Sequence, residues 1–485
     1  MPDTAQTQKL EHLDAVVALV RHKVAPAERD AVSQFVPLLY EQVEPEDLLQ
    51  RTPEDLYGAA LSLWRFAQQR RAGAPRLRVF SPTVAEHGWS SRHTVIEIVN
   101  KDMPFLVDST TMEINRQGLT LHLILHPVLA VERDADGALR QVRERTPQDH
   151  ARLESMMHVE VDRQVDAAAR ARLAEGIERV LGDVRAAVDD WPQMLARLKD
   201  VIAELAVLPK SVPETEAAET RAFLGWLADE NLLLLGYRQH DLVDAGGETG
   251  ETLRLVAGSG LGILREQPGH ATSGSFAALP PQARAMAHSP LPVAIVTKAN
   301  SRSTVHRSGY TDYIGVKRYD AQGQVAGEHR FLGLMTSSAY AERAADTPLV
   351  RGKLAAVIER AEFAPSSHLG KALVHVLESY PRDELFQIDV DELQEISLGI
   401  LHLGERQRLR LFVRRDPFER FISCLIFVPR DAYSTELRYR FIDILTRTFN
   451  GTGADFDVLL SDTVLARIHI TVRTTPGAVP PFERR

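Results

Sequence analysis

The sequence predicts an α+β fold in which several ferredoxin-like units with antiparallel sheets are joined by helical segments. Runs of alternating apolar and polar residues, typical of half-buried strands, are concentrated in three blocks of the chain. The stretches before and between these blocks carry apolar residues at helical spacing instead. The first block also has the order β-α-β-β-α, which is the rhythm of a split ferredoxin-like unit.

Length and composition indicate an ordinary globular protein with several cores. The chain has 485 residues, so we expect roughly three or four domains. Hydrophobic residues make up 44% and charged residues 25%. The net charge of −9 argues against a nucleic-acid binder whose whole surface is basic. No apolar run is long enough for a membrane span, and the N-terminus lacks a signal-peptide pattern.

The cysteine content predicts a cytoplasmic location. Cys424 is the one cysteine in the sequence, so no intramolecular disulfide can form, and a reducing compartment is expected. It lies in the apolar run Phe421–Val428, where we expect a small buried hydrophobic residue.

The first two regions are a helical segment at 1–75 and a sheet-rich region at 76–184. Pro53 after Thr52 is typical of a helix start. In the second region, periodicity and turn residues predict, in order, strands at 76–80 and 93–99, a helix at 102–118, a long strand at 119–131, a strand at 155–161 and a helix at 167–184.

A polar turn joins the second of these strands to the helix. A helix N-terminus offers free backbone N–H groups and the positive end of the helix dipole, so this turn could hold the carboxylate of an amino acid. Alternatively, Asp102 is the N-cap residue and the turn merely caps the helix. The candidate effector-binding residues are Asn100, Asp102, Met103, Pro104, Phe105 and Leu106.

His122 and His126 lie four residues apart in the predicted long strand, where a metal pair is conceivable. No HExxH helix and no acidic third ligand accompany them, so we predict solvated or core histidines and no metal site.

The remaining chain is predicted to alternate between helical and sheet-rich regions. We expect, in order, a helical connector at 185–231, a sheet-rich domain at 232–345, a second helical connector at 346–404, a sheet domain at 405–475 and a tail at 476–485. The glycines at 258–262 follow a strand. Pro268 comes too soon for a crossover helix, which argues against a dinucleotide site.

A basic stretch occupies the middle of the domain at 232–345. It connects two predicted strands and carries Lys298, Arg302, His306, Arg307, Tyr310, Tyr313, Lys317 and Arg318. Such groups suit an anion: a carboxylate, a phosphate or the acidic face of a partner. The alternative is a salt-bridged surface loop without a ligand.

Several runs together resemble the N-terminal part of the large bacterial NAD-specific glutamate dehydrogenases. They are 100–109, 121–128, 303–318, 331–337 and 380–387. Within the first run, Asp102, Pro104, Phe105 and Leu106 are similar to the strand-to-helix turn of the ACT regulatory domain. The resemblance implies ACT-like domains at 76–184, 232–345 and 405–475.

The resemblance also implies which functions are expected. In that family the dehydrogenase domain lies further toward the C-terminus, so no catalytic residue and no bound cofactor are expected in this segment. NAD would serve the absent catalytic domain, which oxidises glutamate to 2-oxoglutarate. The expected partners are that domain, other copies of the chain and an amino acid or organic acid effector. Neither nucleic acid nor membrane is expected.

Three functions remain open from the sequence. The first is a regulatory and assembly role within a glutamate dehydrogenase. The second is a purely structural docking module, in which the basic stretch binds acidic surfaces. The third is an enzyme in its own right, with phosphoryl or acyl chemistry at Lys298, Arg302, His306, Arg307 and Tyr310. The resemblance favours the regulatory role. The enzyme is disfavoured because the sequence has no nucleophile elbow, no metal cluster and no paired-carboxylate motif.

Overall fold

The structure is a computed structural model that describes residues 4–149, 153–244, 251–266, 281–404, 406–460 and 463–482. The chain forms two compact units. The first comprises Met1–Val188 with Ser303–Ser308, and the second comprises Asp189–Arg302 with Gly309–Arg485. Among the described helices, none combines the length and the apolar character that a bilayer span requires.

The first unit begins with four helices, as the helical spacing predicted. They are α1 (Thr4–Lys23), α2 (Pro26–Tyr40), α3 (Pro45–Leu49) and α4 (Pro53–Ala67). Thr52 caps α4 by accepting the Asp55 N–H at 3.2 Å, and Pro53 occupies the first turn. The helices share one core with the sheet that follows, since Phe35 and Leu63 belong to the same buried cluster as Val99.

The sheet of the first unit is antiparallel, with strand order β1-β2-β6-β4-β5 and β3 also paired with β6. Its strands are β1 (Arg76–Phe80), β2 (Thr94–Lys101), β3 (Leu121–Leu125), β4 (Val128–Arg133), β5 (Leu139–Glu144) and β6 (Leu153–Val161). Its helices are α5 (Val84–His87), α6 (Leu106–Arg116) and α7 (Ala167–Glu204), of which residues up to Val188 belong to this unit. The Glu113 side chain of α6 reaches α7 at Gly176, where a Cβ would lie 2.1 Å from Glu113 Oε1.

Three details of this region differ from the sequence prediction. The helix predicted from residue 102 begins at Leu106. The predicted strand 119–131 is interrupted at Pro127, which has no backbone N–H for a ladder, and forms β3 and β4. The edge strand β5 was not predicted, because its charged and exposed residues hide the alternation.

The second unit contains a six-stranded antiparallel sheet with the order β10-β11-β12-β7-β8, in which β9 also pairs with β7. Its elements are α8 (Glu214–Trp226), a π-helical turn (Leu227–Asn231), β7 (Leu232–Asp244), β8 (Glu251–Leu255), β9 (Leu261–Gly262), α9 (Pro281–His288), β10 (Ala294–Arg302), β11 (Tyr310–Tyr319), β12 (Val325–Met335) and α10 (Ser337–Ala341). Between the first and the last strand of this sheet, the structure describes one short helix, α9, which lies between β9 and β10. The ACT-like character of 232–345 therefore stays a prediction.

The rest of this unit is a helical region followed by a four-stranded antiparallel sheet of order β13-β14-β16-β15. Its elements are α11 (Val350–Ala361), α12 (His368–Glu378), α13 (Arg382–Gln387), α14 (Val390–Leu403), β13 (Arg410–Arg415), β14 (Phe421–Pro429), a 3-10 turn (Arg430–Ala432), α15 (Thr435–Thr448), β15 (Gly453–Leu459) and β16 (Leu465–Arg473). Leu445 of α15 packs on one face of the sheet, where Cys424 is buried in the core as predicted.

Candidate functional site

The turn between β2 and α6 leads into a helix that begins without a capping side chain. Phe105 occupies the N-cap position with a φ of 72°, in the left-handed region that residues with a side chain rarely adopt, and it makes no side-chain cap hydrogen bond. Asp102 is not the N-cap residue, because three residues separate it from Leu106. Its backbone N–H instead donates to Leu153 O at 2.9 Å. The N-terminal N–H groups of α6 therefore lack the usual side-chain acceptor, at the positive end of the helix dipole.

The other residues of this turn differ in exposure. Pro104 is exposed, Met103 is partly buried and Leu106 is buried in the core. Asn100 is 2% exposed, and its Nδ2 atom has no hydrogen-bond partner among the described residues. A buried donor without an acceptor costs about 1–3 kcal/mol. A ligand carboxylate that reached this nitrogen would therefore gain the hydrogen bond and relieve that cost.

A cavity of about 460 Å³ lies beside the first turn of α6, although none of the turn residues Asn100–Leu106 lines it. It is lined by Val107 of α6, by His126 and Pro127 between β3 and β4, and by the end of α2. His126 Nε2 lies 2.7 Å from Ser155 Oγ, and Ser155 is the register partner of Asn100 across β2 and β6. Burial lowers the pKa of His126, so the uncharged imidazole is favoured beside this cavity.

Part of the basic stretch lies against the same turn. The backbone N–H of His306 donates to Ser109 Oγ at 3.0 Å, and the ring of His306 lies 5.1 Å from that of Phe105. His306 Nδ1 is 3.4 Å from Asp108 Oδ2, and Thr304 Oγ1 donates to Asp183 Oδ2 at 2.8 Å. The sequence predicted the turn and the basic stretch as separate candidates. The structure brings them together through Ser303–Ser308, which belongs to the first unit.

Lys298 is part of an internal ion-pair network. Its Nζ atom lies 2.7 Å from Asp312 and 3.1 Å from Asp383, and the Tyr340 hydroxyl also accepts from it at 3.5 Å. Burial opposes the charge, but Asp383 and Asp312 raise the pKa of Lys298 overall. Two carboxylates already surround this ammonium, so it is not available to an external anion.

Arg302 and Tyr310 belong to a different cluster in the second unit. Arg302 pairs with Asp455 and lies over the Tyr310 ring, 4.7 Å from its centroid. Arg473 lies 3.3 Å from the same centroid and is 8% exposed, and its Nε and Nη1 atoms have no hydrogen-bond partner among the described residues. Sequence reasoning missed Arg473, because only the fold brings β16 next to Tyr310.

The other predicted anion-binding residues each have local partners. Tyr313 donates to Glu328 at 2.6 Å, and Arg318 contacts Asp241 at 2.6 Å. Lys317 donates to two backbone carbonyls, and burial lowers its pKa to about 8. Arg307 donates its backbone N–H to Val305 O at 3.0 Å. The eight residues therefore do not form one common anion site.

His122 and His126, which were predicted to lie on one strand, also have different partners. His122 Nε2 lies 2.8 Å from Asp162, and its ring stacks on His93 at 4.2 Å, whereas His126 contacts Ser155. Within the described part of the chain, no three His, Cys, Asp or Glu side chains are arranged to hold a metal ion.

Beneath His93, the first sheet carries a network of buried ionisable groups that the sequence did not indicate. Glu160 is 1% exposed and accepts two hydrogen bonds from Arg51, at 2.6 and 3.0 Å. His93 Nδ1 lies 2.7 Å from the same carboxylate. Burial alone would raise the pKa of Glu160, but His158 and Arg51 lower it overall, so the carboxylate stays charged.

Three regions of the chain match family models. Residues 35–177 match the ACT1 domain of glutamate dehydrogenase, 347–406 match its helical motif 1, and 410–485 match its ACT2 domain. The chain belongs to this glutamate dehydrogenase family. The predicted α+β class with ACT-type units is thereby confirmed.

Relatives with curated names agree with this assignment. The chain is 42% identical over 454 residues to the NAD-specific glutamate dehydrogenase of Halomonas elongata, and 37% identical over 447 residues to that of Pseudomonas aeruginosa. The enzyme of Mycobacterium tuberculosis is 30% identical over 382 residues. These matches cover 91%, 92% and 78% of this chain, but the chain spans only 27%, 27% and 22% of those relatives.

Proposed function

We propose that this chain is the regulatory and assembly portion of an NAD-dependent glutamate dehydrogenase. The complete enzyme would convert L-glutamate, NAD and water into 2-oxoglutarate, ammonia and NADH. The family regions and the names of the relatives support this proposal. The chain would contribute no catalytic residue and bind no cofactor itself. Its partners would be the catalytic domain, further copies of the chain and an effector, in the cytoplasm.

The proposed effector site is the turn from Asn100 to Leu106 in the ACT1 region. The observation that supports it is the uncapped start of α6 together with Asn100, whose buried amide nitrogen lacks an acceptor. Free helix N–H groups and a side-chain amide can together hold the carboxylate of an amino acid or organic acid. Binding there would bias the active site by a coupling free energy of about 1–3 kcal/mol.

Ser303–Ser308 would carry the effect of binding along the chain. This segment connects β10 to β11, and His306 contacts Ser109 and Phe105 at the start of α6. A ligand that shifts the first turn of α6 would change these contacts. The two strands that flank the segment, β10 and β11, would then respond.

A second candidate function is a structural docking module without an effector. It is favoured by the partners that the basic stretch already has, such as Asp312 and Asp383 around Lys298, and Asp455 beside Arg302. On this alternative, the basic stretch stabilises contacts between the elements that carry these residues, and it binds no effector.

Isothermal titration of the chain with a panel of amino acids and organic acids tests the regulatory proposal. Binding of at least one member at millimolar concentration or tighter is expected. Binding of none would leave docking as the function of the segment.

Arg302→Ala and Arg307→Ala in the complete enzyme separate the two functions further. A lost effector response with an unchanged oligomeric state supports sensing by the basic stretch. A changed oligomeric state with an intact effector response supports docking.

A further inference from the structure

A cavity of about 520 Å³ lies between the helical motif and the last sheet of the second unit. One face of α12 lines it with Leu369, Ala372 and Val376, and the neighbouring face, about 100° away around the helix axis, places Leu373 and Leu377 in the core. This division follows from helical spacing, which separates these two sets of residues onto different faces. The end of α14 and the strands β14 and β16 form the remaining walls.

Large apolar side chains remain exposed at this cavity. Leu369 is 47% exposed, and Leu459 and Val464 are each 38% exposed. Contiguous exposed apolar surface around a concave site is typical of a ligand-binding site rather than of ordinary protein surface. The cavity volume also falls within the range of about 300–1,000 Å³ that small-molecule sites occupy.

One cation, Arg467, projects from β16 into this largely apolar wall. It is paired in register with Phe427 on one side and Leu459 on the other. Its Nη1 atom donates to the Ser379 carbonyl, while its Nε atom has no hydrogen-bond partner among the described residues. Burial lowers the pKa of Arg467, although Asp457 and Tyr380 act to raise it.

Arg414, on the same sheet, is a buried guanidinium that does have a carboxylate partner. It forms two hydrogen bonds with Glu384, at 2.7 and 3.0 Å. Arg467 has no such carboxylate within ion-pair distance in the described part of the chain. Asp457 acts on Arg467 without forming an ion pair, so among the described residues the guanidinium keeps a donor for an external anion.

We propose that this cavity binds a monocarboxylate with an apolar chain or ring, whose carboxylate pairs with Arg467. A single guanidinium without an ion-pair partner among the described residues suits one carboxylate, and the apolar walls suit the body of such a ligand. None of the described residues that line the cavity is an Asp or Glu, so the ammonium group of an amino acid would find no counter-charge. An amino acid, which the ACT1 turn could accept, is therefore not expected in this cavity.

Titration calorimetry with sodium octanoate and 1-octanol on the 485-residue chain tests this proposal. Both probes carry the same apolar chain, but only octanoate can pair with a guanidinium. Octanoate is expected to bind at least about tenfold more tightly than octanol, a difference of about 1.4 kcal/mol. Arg467→Met should remove this preference, and Ala372→Phe should abolish binding by filling the cavity.

Arg447→Met is the matched control, because Arg447 is an exposed residue of α15 that pairs with Asp443 and does not line the cavity. Its affinity for octanoate should equal that of the unmodified chain, and circular dichroism should show all three variants to be folded.

Several outcomes would overturn the proposal. Equal affinities for octanoate and octanol would show that Arg467 does not hold the headgroup. Binding that survives both cavity variants would place octanoate elsewhere. If octanoate does not bind and Ala372→Phe changes the oligomeric state in sedimentation, the cavity is a protein interface instead.

Discussion

The two ACT regions of this chain differ in how their first sheet-covering helices begin. In the ACT2 region, Ser434 caps α15 with a φ of −145°, and its hydroxyl accepts the Leu437 N–H at 3.1 Å. In the ACT1 region, Phe105 precedes α6 with a φ of 72° and provides no side-chain cap. One N–H at the start of α15 thus has a side-chain acceptor, whereas no side chain in the described part of the chain caps the start of α6. This difference makes ACT1 the better candidate to receive a carboxylate.

The buried charges of the two sheets also differ in sign. The central strands of the first sheet carry the buried carboxylates Glu97, Glu154 and Glu160, which arginines from other elements neutralise. The last sheet instead carries buried guanidinium groups, such as Arg414, which pairs with Glu384 of α13. Each region is therefore sensitive to a different kind of substitution.

The largest effect is expected when the ion pair of the ACT2 sheet is broken. Glu384→Gln leaves Arg414 buried without a counter-charge and should lower the free energy of unfolding by about 3–5 kcal/mol. Urea denaturation followed by hydrogen exchange in β13 and β14 measures the loss. Glu436→Gln is the control, since its pair with Arg440 is exposed, and a change of at most about 0.5 kcal/mol is expected. A loss below about 1 kcal/mol in Glu384→Gln would contradict this assignment.

The next effect concerns two buried histidines whose pKa values shift in opposite directions. Burial alone would lower the pKa of His158, but Glu160 and Glu97 raise it overall. Its stabilising contribution is therefore fully present below the unfolded pKa of about 6.5 and is lost as the pH rises through the folded value. Burial lowers the pKa of His469, so its contribution is present above about 6.5 and is lost as the pH falls toward the folded value.

Replacing each histidine by Gln tests this contrast. The stability lost in His158→Gln should shrink as the pH rises from 6 to 8, measured by hydrogen exchange in β6 after correction for the intrinsic rate. The stability lost in His469→Gln, measured in β16, should shrink as the pH falls from 7 to 5. Parallel trends in both variants would show that the two regions do not differ electrostatically in this way.

A smaller effect is expected from the helix cap that distinguishes the two regions. Ser434→Ala removes the acceptor for Leu437 N–H and should lower the free energy of unfolding by about 1 kcal/mol. Thermal and urea denaturation measure this change. Thr448→Ala, at the other end of the same helix, controls for the loss of a hydroxyl group that has no capping role. Equal effects of the two substitutions would mean that Ser434 does not act as a cap.

The smallest effect is expected at Arg302. Its pair with Asp455 is partly exposed, so Arg302→Ala should change the free energy of unfolding by only about 0.2–1 kcal/mol. Urea denaturation gives the value. A loss above about 2 kcal/mol would show that this pair is a main structural contact of the second unit.

Local patterns in the sequence predicted much of the secondary structure. The alternation of Arg76–Phe80 gave β1 with its observed bounds, and the helices α11 to α14 lie within the predicted helical connector at 346–404. The start of α6 was not, because the left-handed conformation of Phe105 depends on its surroundings. The contact between His306 and Ser109 was not predicted either. The two residues are far apart in the chain, and sequence periodicity does not indicate such long-range contacts.

The candidate sites were predicted less well than the elements, for a related reason. The cations of the basic stretch are adjacent in sequence, which suggested one anion site. In the fold, their side chains contact different residues, because they lie at different positions along β10 and β11. Lys298 contacts Asp383 and Arg318 contacts Asp241. The Arg467 cavity arises only when β16 packs beside α12, and nothing in the local sequence of either element indicates it.

On the proposed function, the uncapped turn of ACT1, and not the capped turn of ACT2, binds the effector. The most direct test is calorimetric titration of the effector from the panel into the unmodified chain, Asn100→Ala and Ser434→Ala. Asn100→Ala should weaken binding at least about tenfold, while Ser434→Ala should leave the affinity unchanged. Unchanged binding in Asn100→Ala, or loss of binding in Ser434→Ala alone, would contradict it.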